Sequence, residues 1–453
     1  MPLSHNDDPT LIDGFANQDF IKEICSLISN CTPPKGIGIN GYWGTGKTST
    51  LLQIYHQLTG KYPYGNKPSD SPIPTESPDV SIMPVWFEAW RYQHEGQPIV
   101  ALLNEIRFQM GLWAKFQDKA GKLTGVSLLG TISVFDEVIK AASGGVVKPE
   151  LGKLQSIGNA WETERFQQAL PGQTIRTLLQ EAINNVLKSK KSKILAIFID
   201  DLDRCEPAVA LRLMEGIKVY LNLNNCVVIF GMDQRQVERA LVKALDLTDQ
   251  DKVDGKAEHY AREYLEKICQ DIIHLPLADM QKKSFYLMTL LEKIITDTNK
   301  QPFLNKIRQI TNKYDCLPAN PRKIKALANR IASMLRQIGQ TNQGELLNVS
   351  QEQELFSRNA ALCLIIAILY CFHRAVYEQL QKNPAYIQTV IEYASASDLK
   401  NEQYKPMHCI LPSRDADRDL PVNPSDSNVF RLHQLLQKLS LITVDEIEPF
   451  INL

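Results

Sequence analysis

GIGINGYWGTGKTST, residues 36–50, joins a short apolar run to a stretch of helix formers through a loop that carries three glycines. Gly41, Gly46, Lys47 and Thr48 satisfy the spacing GxxxxGK[ST], with the strand signal directly before and the helix signal directly after. The residue types follow from the task of holding phosphate. Glycine permits the positive φ that turns successive backbone N–H groups inward, and the following helix adds its positive end. Gly44 is a further flexible position, and Thr45 and Ser49 complete the loop and the first helical turn. Lys47 is expected to reach the β- and γ-phosphates of a nucleotide, and Thr48 to hold Mg²⁺ through its hydroxyl. Tyr42 and Trp43 receive no role at this point.

Outward from this loop, short runs rich in β-branched residues recur at 36–40, 82–87, 194–199, 227–231 and 272–275, separated by helical patterns. Near-continuous apolar strands alternating with helices predict an α/β fold with a mostly parallel sheet covered on both faces. Beyond about residue 278 no comparable strand follows, and residues 283–296, 321–338 and 351–380 have helical periodicity. The chain therefore divides into a nucleotide-binding core over 1–280, a helical lid over 281–345 and an all-helical C-terminal region over 346–453. Two proline-rich loops interrupt it, at 62–80 and at 406–424, the latter before a last helix near 429–441.

The strand ILAIFI runs into DDLDRC at residues 200–205. Asp200 thus lies at the carboxyl end of a buried strand, where ligands of open α/β sheets gather. It is expected to hold Mg²⁺, mostly through water, with Asp201 orienting or deprotonating the attacking water. Three carboxylates within four residues repel one another unless a cation offsets them, which favours a metal here. Asp203 is left open between that role and capping the next helix. Arg204 is expected to pair with Asp203, with service to a neighbouring subunit as the alternative. Asp233 ends the next strand and either watches the γ-phosphate or caps the helix QRQVERA. In ANPRKIK, residues 319–325, Asn320 is a good N-cap and Pro321 a good first residue, which leaves Arg322 opposing the helix dipole unless an anion is near. Arg322 is therefore expected to face phosphate.

The 453 residues, 44% apolar and 22% charged, suffice for a large core, and a net charge of −1 gives no general reason to bind nucleic acid or an anionic membrane. One basic run stands out at 303–340, with Lys306, Arg308, Lys313, Arg322, Lys323, Lys325, Arg330 and Arg336 against Asp315 alone. It reads first as a solvated helix face and second as a phosphate or nucleic-acid contact. Nine cysteines lack CxxC or Cys/His spacing and read as free thiols. The start, MPLSHNDDPT, lacks a charged segment followed by an apolar one, so a cytoplasmic location is expected. The apolar run 360–372 is too short for a bilayer, which demands about 20 residues, and 125–147 is broken by Asp136, Glu137 and Lys140. No membrane span is expected.

GYWGTGKT at 41–48, VWFEAWRY at 85–92, IFIDDLDRC at 197–205, YLEKI at 264–268 and NPRKIK at 320–325 together resemble the KAP family of P-loop NTPases. The resemblance implies an ATPase of the ASCE or AAA-like kind that uses ATP and Mg²⁺. It further implies an extra strand between the phosphate-loop strand and the acidic strand, a helical lid, and an insertion, here about 110–163. Family members often place transmembrane helices in that insertion, and this chain resembles a soluble, bacterial-type member without them. Trp86, Trp90 and Arg91 match the family's aromatic motif, and from the residues alone they read as strand end and helix packing. The resemblance implies a nucleotide-driven switch or assembly ATPase, with a protein partner or self-association and a possible place in phage defence or stress response. A nucleotide-stabilised scaffold acting through its C-terminal helices, and a motor or clamp on DNA, stand as alternatives.

Overall fold

The computed structural model describes residues 4–65, 79, 81–95, 97–110, 172–244, 256–295, 301–341, 349–395 and 402–409, with 447, 450 and 451. The insertion at 110–163 lies outside these after Met110, as do most of the proline-rich loop at 62–80 and the expected last helix at 429–441.

All five sequence-predicted strands form: β1 (Lys35–Asn40), β2 (Ile82–Glu88), β3 (Ile194–Asp200), β4 (Cys226–Met232) and β5 (Asp271–His274). They make one all-parallel sheet in the order β2-β3-β4-β1-β5. β4 lies between β1 and β3, so the extra strand is where the resemblance implies it. Every residue of β3 and β4 is buried, because both strands are interior and covered on both faces.

Successive side chains of each strand point to opposite faces and build two cores. On one face Ile37, Ile39, Trp86, Ala196, Phe198 and Ile229 pack against α1 (Gln18–Asn30) and α2 (Lys47–Thr59). On the other, Val85, Phe87, Leu195, Ile197, Val228 and Phe230 meet α3 (Pro98–Gln109), α4 (Gly172–Lys190), α5 (Pro207–Tyr220), α6 (Gln234–Ala244) and α7 (Lys256–Ile268). Parallel register brings every carboxyl end to one edge, with Asn40 level with both Met232 and His274, and Glu88 level with Asp200.

The second half is helical: α8 (Met280–Ile294), α9 (Gln301–Lys313), α10 (Pro321–Thr341), α11 (Val349–Phe372), α12 (Arg374–Lys382) and α13 (Tyr386–Ser395) share a third core. The sequence reading did not single out α9, although Phe303, Leu304, Ile307 and Ile310 stand at the three-and-four spacing that marks a buried helical face. The helical pattern over 351–380 is broken in the structure at His373, with a bend of 118° between α11 and α12. At His373 the backbone N–H closes the first helix on Leu369 O (2.9 Å) and the carbonyl opens the second by accepting from Val376 N–H (3.0 Å). Residues 360–369, apolar on all sides, are almost all buried among the neighbouring helices. Among the described residues no single helix is long and apolar enough to cross a membrane.

Trp86 is 2% exposed, stacked on Phe198 at 6.1 Å between centroids and met edge-on by Tyr55 at 5.8 Å. Its place is therefore in the core. Trp86→Ala is expected to lower stability by about 3–5 kcal/mol, read from the denaturant midpoint at unchanged slope.

Candidate active site

The loop from β1 to α2 turns under the carboxyl edge of the sheet. Gly41 N–H donates to Met232 O of β4 at 3.0 Å, which anchors the start of the loop. Gly44 and Gly46 have φ of +80° and +97°, the backbone that side-chain-bearing residues rarely adopt. The Thr45 hydroxyl donates to Tyr42 O (2.6 Å) and closes the loop on itself. Gly46 then serves as the N-cap of α2, so the unpaired N–H groups of that helix's first turn face the concave side of the loop. Lys47 and Thr48 open the helix.

The structure brings Lys47, Thr48 and Asp200 together. Asp200 is 2% exposed, takes a hydrogen bond from Thr48 and has Lys47 nearby, while its Oδ1 has no partner. Burial, with the Asp201 charge beside it, pushes the Asp200 carboxyl up to about 7. The charges that follow sort differently from the sequence expectation. Arg204 pairs with Asp201 at 3.1 Å, not with Asp203. Asp203 instead meets Lys47 Nζ at 3.2 Å and accepts from Asp233 N–H at 3.2 Å. The reason is local geometry. Asp201 sits at φ +59° and opens a 3-10 turn (Leu202–Arg204), which swings Asp203 back under the phosphate loop and leaves Arg204 within reach of Asp201. Asp203 therefore caps no helix of its own. Burial also raises the Asp201 carboxyl, against the lowering effect of Arg204.

Asp233 is buried at the head of α6, where its carboxylate accepts from Arg235 N–H (3.2 Å) and faces the Arg235 guanidinium (3.6 Å). That is the capping arrangement, and from this corner Gln236 lines the central cavity while Asp233 does not. Arg322 does line it. Asn320 caps α10 through Lys323 N–H (3.1 Å) and donates from Nδ2 to Trp43 O (2.9 Å), so the phosphate loop and the lid helix are tied at one residue. The Arg322 guanidinium pairs with Asp7 at 2.6 Å.

The cavity itself has a volume of about 980 Å³. It is lined by the phosphate loop, by the carboxylates of Glu88, Asp200, Asp201 and Asp203 with Arg91 and Arg204 among them, and by the N-terminal segment from Asp7 to Asn17 with Leu275 and Tyr286. This N-terminal segment was not legible as part of a site. It is held by Thr10 N–H on Ser49 Oγ (3.1 Å) and by Gln53 Nε2 on the carbonyls of Thr10 and Ile12 (both 3.3 Å), which are pairings across the fold with no local signature. Trp90, half-exposed, and Arg91, paired with Glu88, also reach the cavity. The basic run disperses among separate partners: Arg308 on Glu292 (2.9 Å), Arg330 over the Tyr370 ring (4.0 Å), and Arg322 and Lys325 on the N-terminal segment.

Among the described residues no three His, Cys, Asp or Glu side chains converge as a metal cage. The donors present are the Thr48 hydroxyl and the unpaired Asp200 oxygen, both hard oxygens, which suits an ion that keeps most of its water.

An all-parallel sheet with this loop at the carboxyl end of β1 and a buried carboxylate at the end of β3 defines a P-loop nucleotide-binding domain. The model of the KAP family P-loop domain matches residues 17–338, and the chain belongs to that family. The chain is 23% identical over 326 residues to the phage T7 exclusion protein of Escherichia coli (strain K12). That match covers 65% of this chain and 38% of the relative, so the chain spans well under two thirds of the relative's length.

A carboxyl raised to about 7 has a signed effect on stability. The folded chain holds a proton on Asp200 that the unfolded chain gives up near 3.8, so the metal-free fold loses stability as pH rises from about 4 to about 7 and no further above that. Asp200→Asn removes this loss. The melting temperature of the variant relative to the parent, both in chelator, is expected to climb across that window and level off beyond it; a constant offset would contradict the buried proton.

Proposed function

We propose that the chain binds ATP with Mg²⁺ in this cavity, hydrolyses it slowly, and uses the nucleotide state to set how its helical half meets a partner. The observation that carries the proposal is Asp200: a buried carboxylate with one oxygen unpaired, beside the Lys47 and Thr48 of a phosphate loop. An orphaned oxygen in such a place costs free energy unless a ligand or ion completes it.

In this scheme the N–H groups around Gly44 to Thr48 bind the phosphates. Lys47 leaves Asp203 to bridge the terminal ones. Thr48 and Asp200 would hold Mg²⁺, which when bound neutralises charge on the phosphate oxygens. Asp201, kept in place by Arg204, orients the attacking water and takes its proton; a carboxyl raised by burial is the better base for that task. Asp233, in its capping role, holds the end of β4 beside Asp203 and acts on the water only through that positioning.

Arg322 supplies the switch. Its pair with Asp7 is exposed on both sides, and such pairs contribute about 0–1 kcal/mol. A triphosphate in a partly enclosed cavity offers far more charge, so Arg322 exchanges Asp7 for phosphate and draws the lid helix inward. The exchange is cheap, which is what a reversible switch needs. Phage exclusion, the property for which the bacterial relative is named, is the setting we propose for the switch.

Lys47→Ala is expected to abolish nucleotide binding in calorimetry. Asp201→Asn is expected to bind normally and to lose phosphate release by about a hundredfold or more; parent-like turnover would remove Asp201 from its role. Arg322→Ala is expected to reduce the preference for ATP over ADP by about tenfold while leaving ADP affinity near the parent value. Phage plating on cells that make the parent or Lys47→Ala checks the proposed setting, with protection expected from the parent only.

A further inference from the structure

The ammonium group of Lys47 has three hydrogens to give, and three acceptors surround it: Gly41 O at 3.0 Å, Tyr42 O at 3.5 Å and the Asp203 carboxylate at 3.2 Å. The two carbonyls belong to the phosphate loop and carry no net charge. Asp203 is the anion of the three. It comes from the turn after β3, and its Oδ2 also accepts from Asp233 N–H at 3.2 Å, while its Oδ1 has no hydrogen-bond partner. The Lys47 and Asp203 side chains are each 10% exposed and both line the cavity, so the pair lies where a ligand can meet it.

A phosphate needs the same ammonium group, and the carboxylate opposes it by either route. Displacing Asp203 leaves a largely buried anion without its cation, and crowding in beside it sets two anions on one ammonium group. We propose, on the footing that this cavity binds phosphate, that Asp203 is a positioning residue that competes with phosphate for Lys47 and so lowers the affinity of the site for polyphosphate ligands. The same contact keeps Lys47 from standing as an unpaired, largely buried cation. Asp203 therefore exchanges tightness of binding for a phosphate loop that holds its shape without help from a ligand.

The test measures ATP and tripolyphosphate, each with Mg²⁺, by calorimetry on the full chain and on Asp203→Asn. Tripolyphosphate has no base or sugar, so it reports on the phosphate end alone. Asparagine keeps the size of the side chain and an acceptor for Asp233 N–H while removing the charge. Both ligands are expected to bind the variant about tenfold tighter than the parent. The sign is diagnostic, because damage to a merely structural residue weakens binding; unchanged or weaker binding overturns the assignment. The gain is expected to persist in about 1 M salt, where the screening length is about 3 Å, and a gain that vanishes there belongs to the general field of the acids and overturns the exchange. Melting of the parent, both single variants and the double variant checks the pair itself. Lys47→Ala is expected to lower the melting temperature of the parent by more than it lowers that of Asp203→Asn, and equal drops overturn the coupling. Asp203→Ala replaces Asp203→Asn if the latter does not melt cooperatively. A cooperatively melting parent that binds neither ligand overturns the phosphate reading itself, whereas a parent that binds both and a variant that gains nothing overturn the role of Asp203 alone.

Discussion

A carboxylate held at the end of a strand that is buried on both faces is the constraint around which this chain is arranged. β3 must be apolar throughout because helices cover both sides of it, and Asp200 is the first position at which the chain can place a charge. The charge is then kept from water by the phosphate loop and by β4, which leaves its Oδ1 unpaired. The surrounding acids do not share the burden. Asp201 is answered by Arg204 and Asp203 by Lys47, so Asp200 is the carboxyl left without an ion pair, and burial answers that by raising its pKa to about 7.

The parts of this arrangement that were legible in the sequence are those in which neighbouring residues act together. The strands at 82–87 and 194–199 betray themselves by apolar runs rich in β-branched and aromatic residues, the phosphate loop by its glycines, and the cap of α10 by Asn320 followed by Pro321. What escaped depends on which side chain meets which across the fold. Whether Arg204 would turn to Asp201 or Asp203 rested on a single backbone torsion at Asp201, a residue for which a positive φ is uncommon and carries no mark in the residue pattern. The N-terminal segment was silent for a similar reason: LIDGFANQ has no periodicity, and its place over the cavity is fixed by Ser49, Gln53 and Tyr286. The break at His373 was hidden because apolar residues continue on both sides of it and helical spacing alone cannot register a change of direction.

Among the described residues, several polar contacts join the helical half to the sheet domain and the N-terminal segment, some of them at the cavity. Asn320 meets Trp43 O, Arg322 meets Asp7, Lys325 meets Asp8 O, and His5 ties Asn329 to the carbonyl of Leu290. Most are single hydrogen bonds or exposed pairs, worth about 1 kcal/mol each. Placing weak contacts at the cavity lets a ligand's charge compete with them, whereas the three apolar cores, two of which reach the cavity wall through Phe15, Leu275 and Tyr286, keep their packing.

Gly44 adds a consequence for how such sequences can drift. A methyl group on Gly44 would lie 2.7 Å from Asn320 Oδ1 and 2.8 Å from its Nδ2, and the backbone there already has a φ of +80°. Asn320 has no slack to yield, because its amide spans Trp43 O and Lys323 N–H. The two positions, 276 residues apart along the chain, are therefore locked like key and keyway. Bulk gained on one side has to be surrendered on the other within the same lineage, so substitutions at 44 and 320 are expected to arrive in pairs.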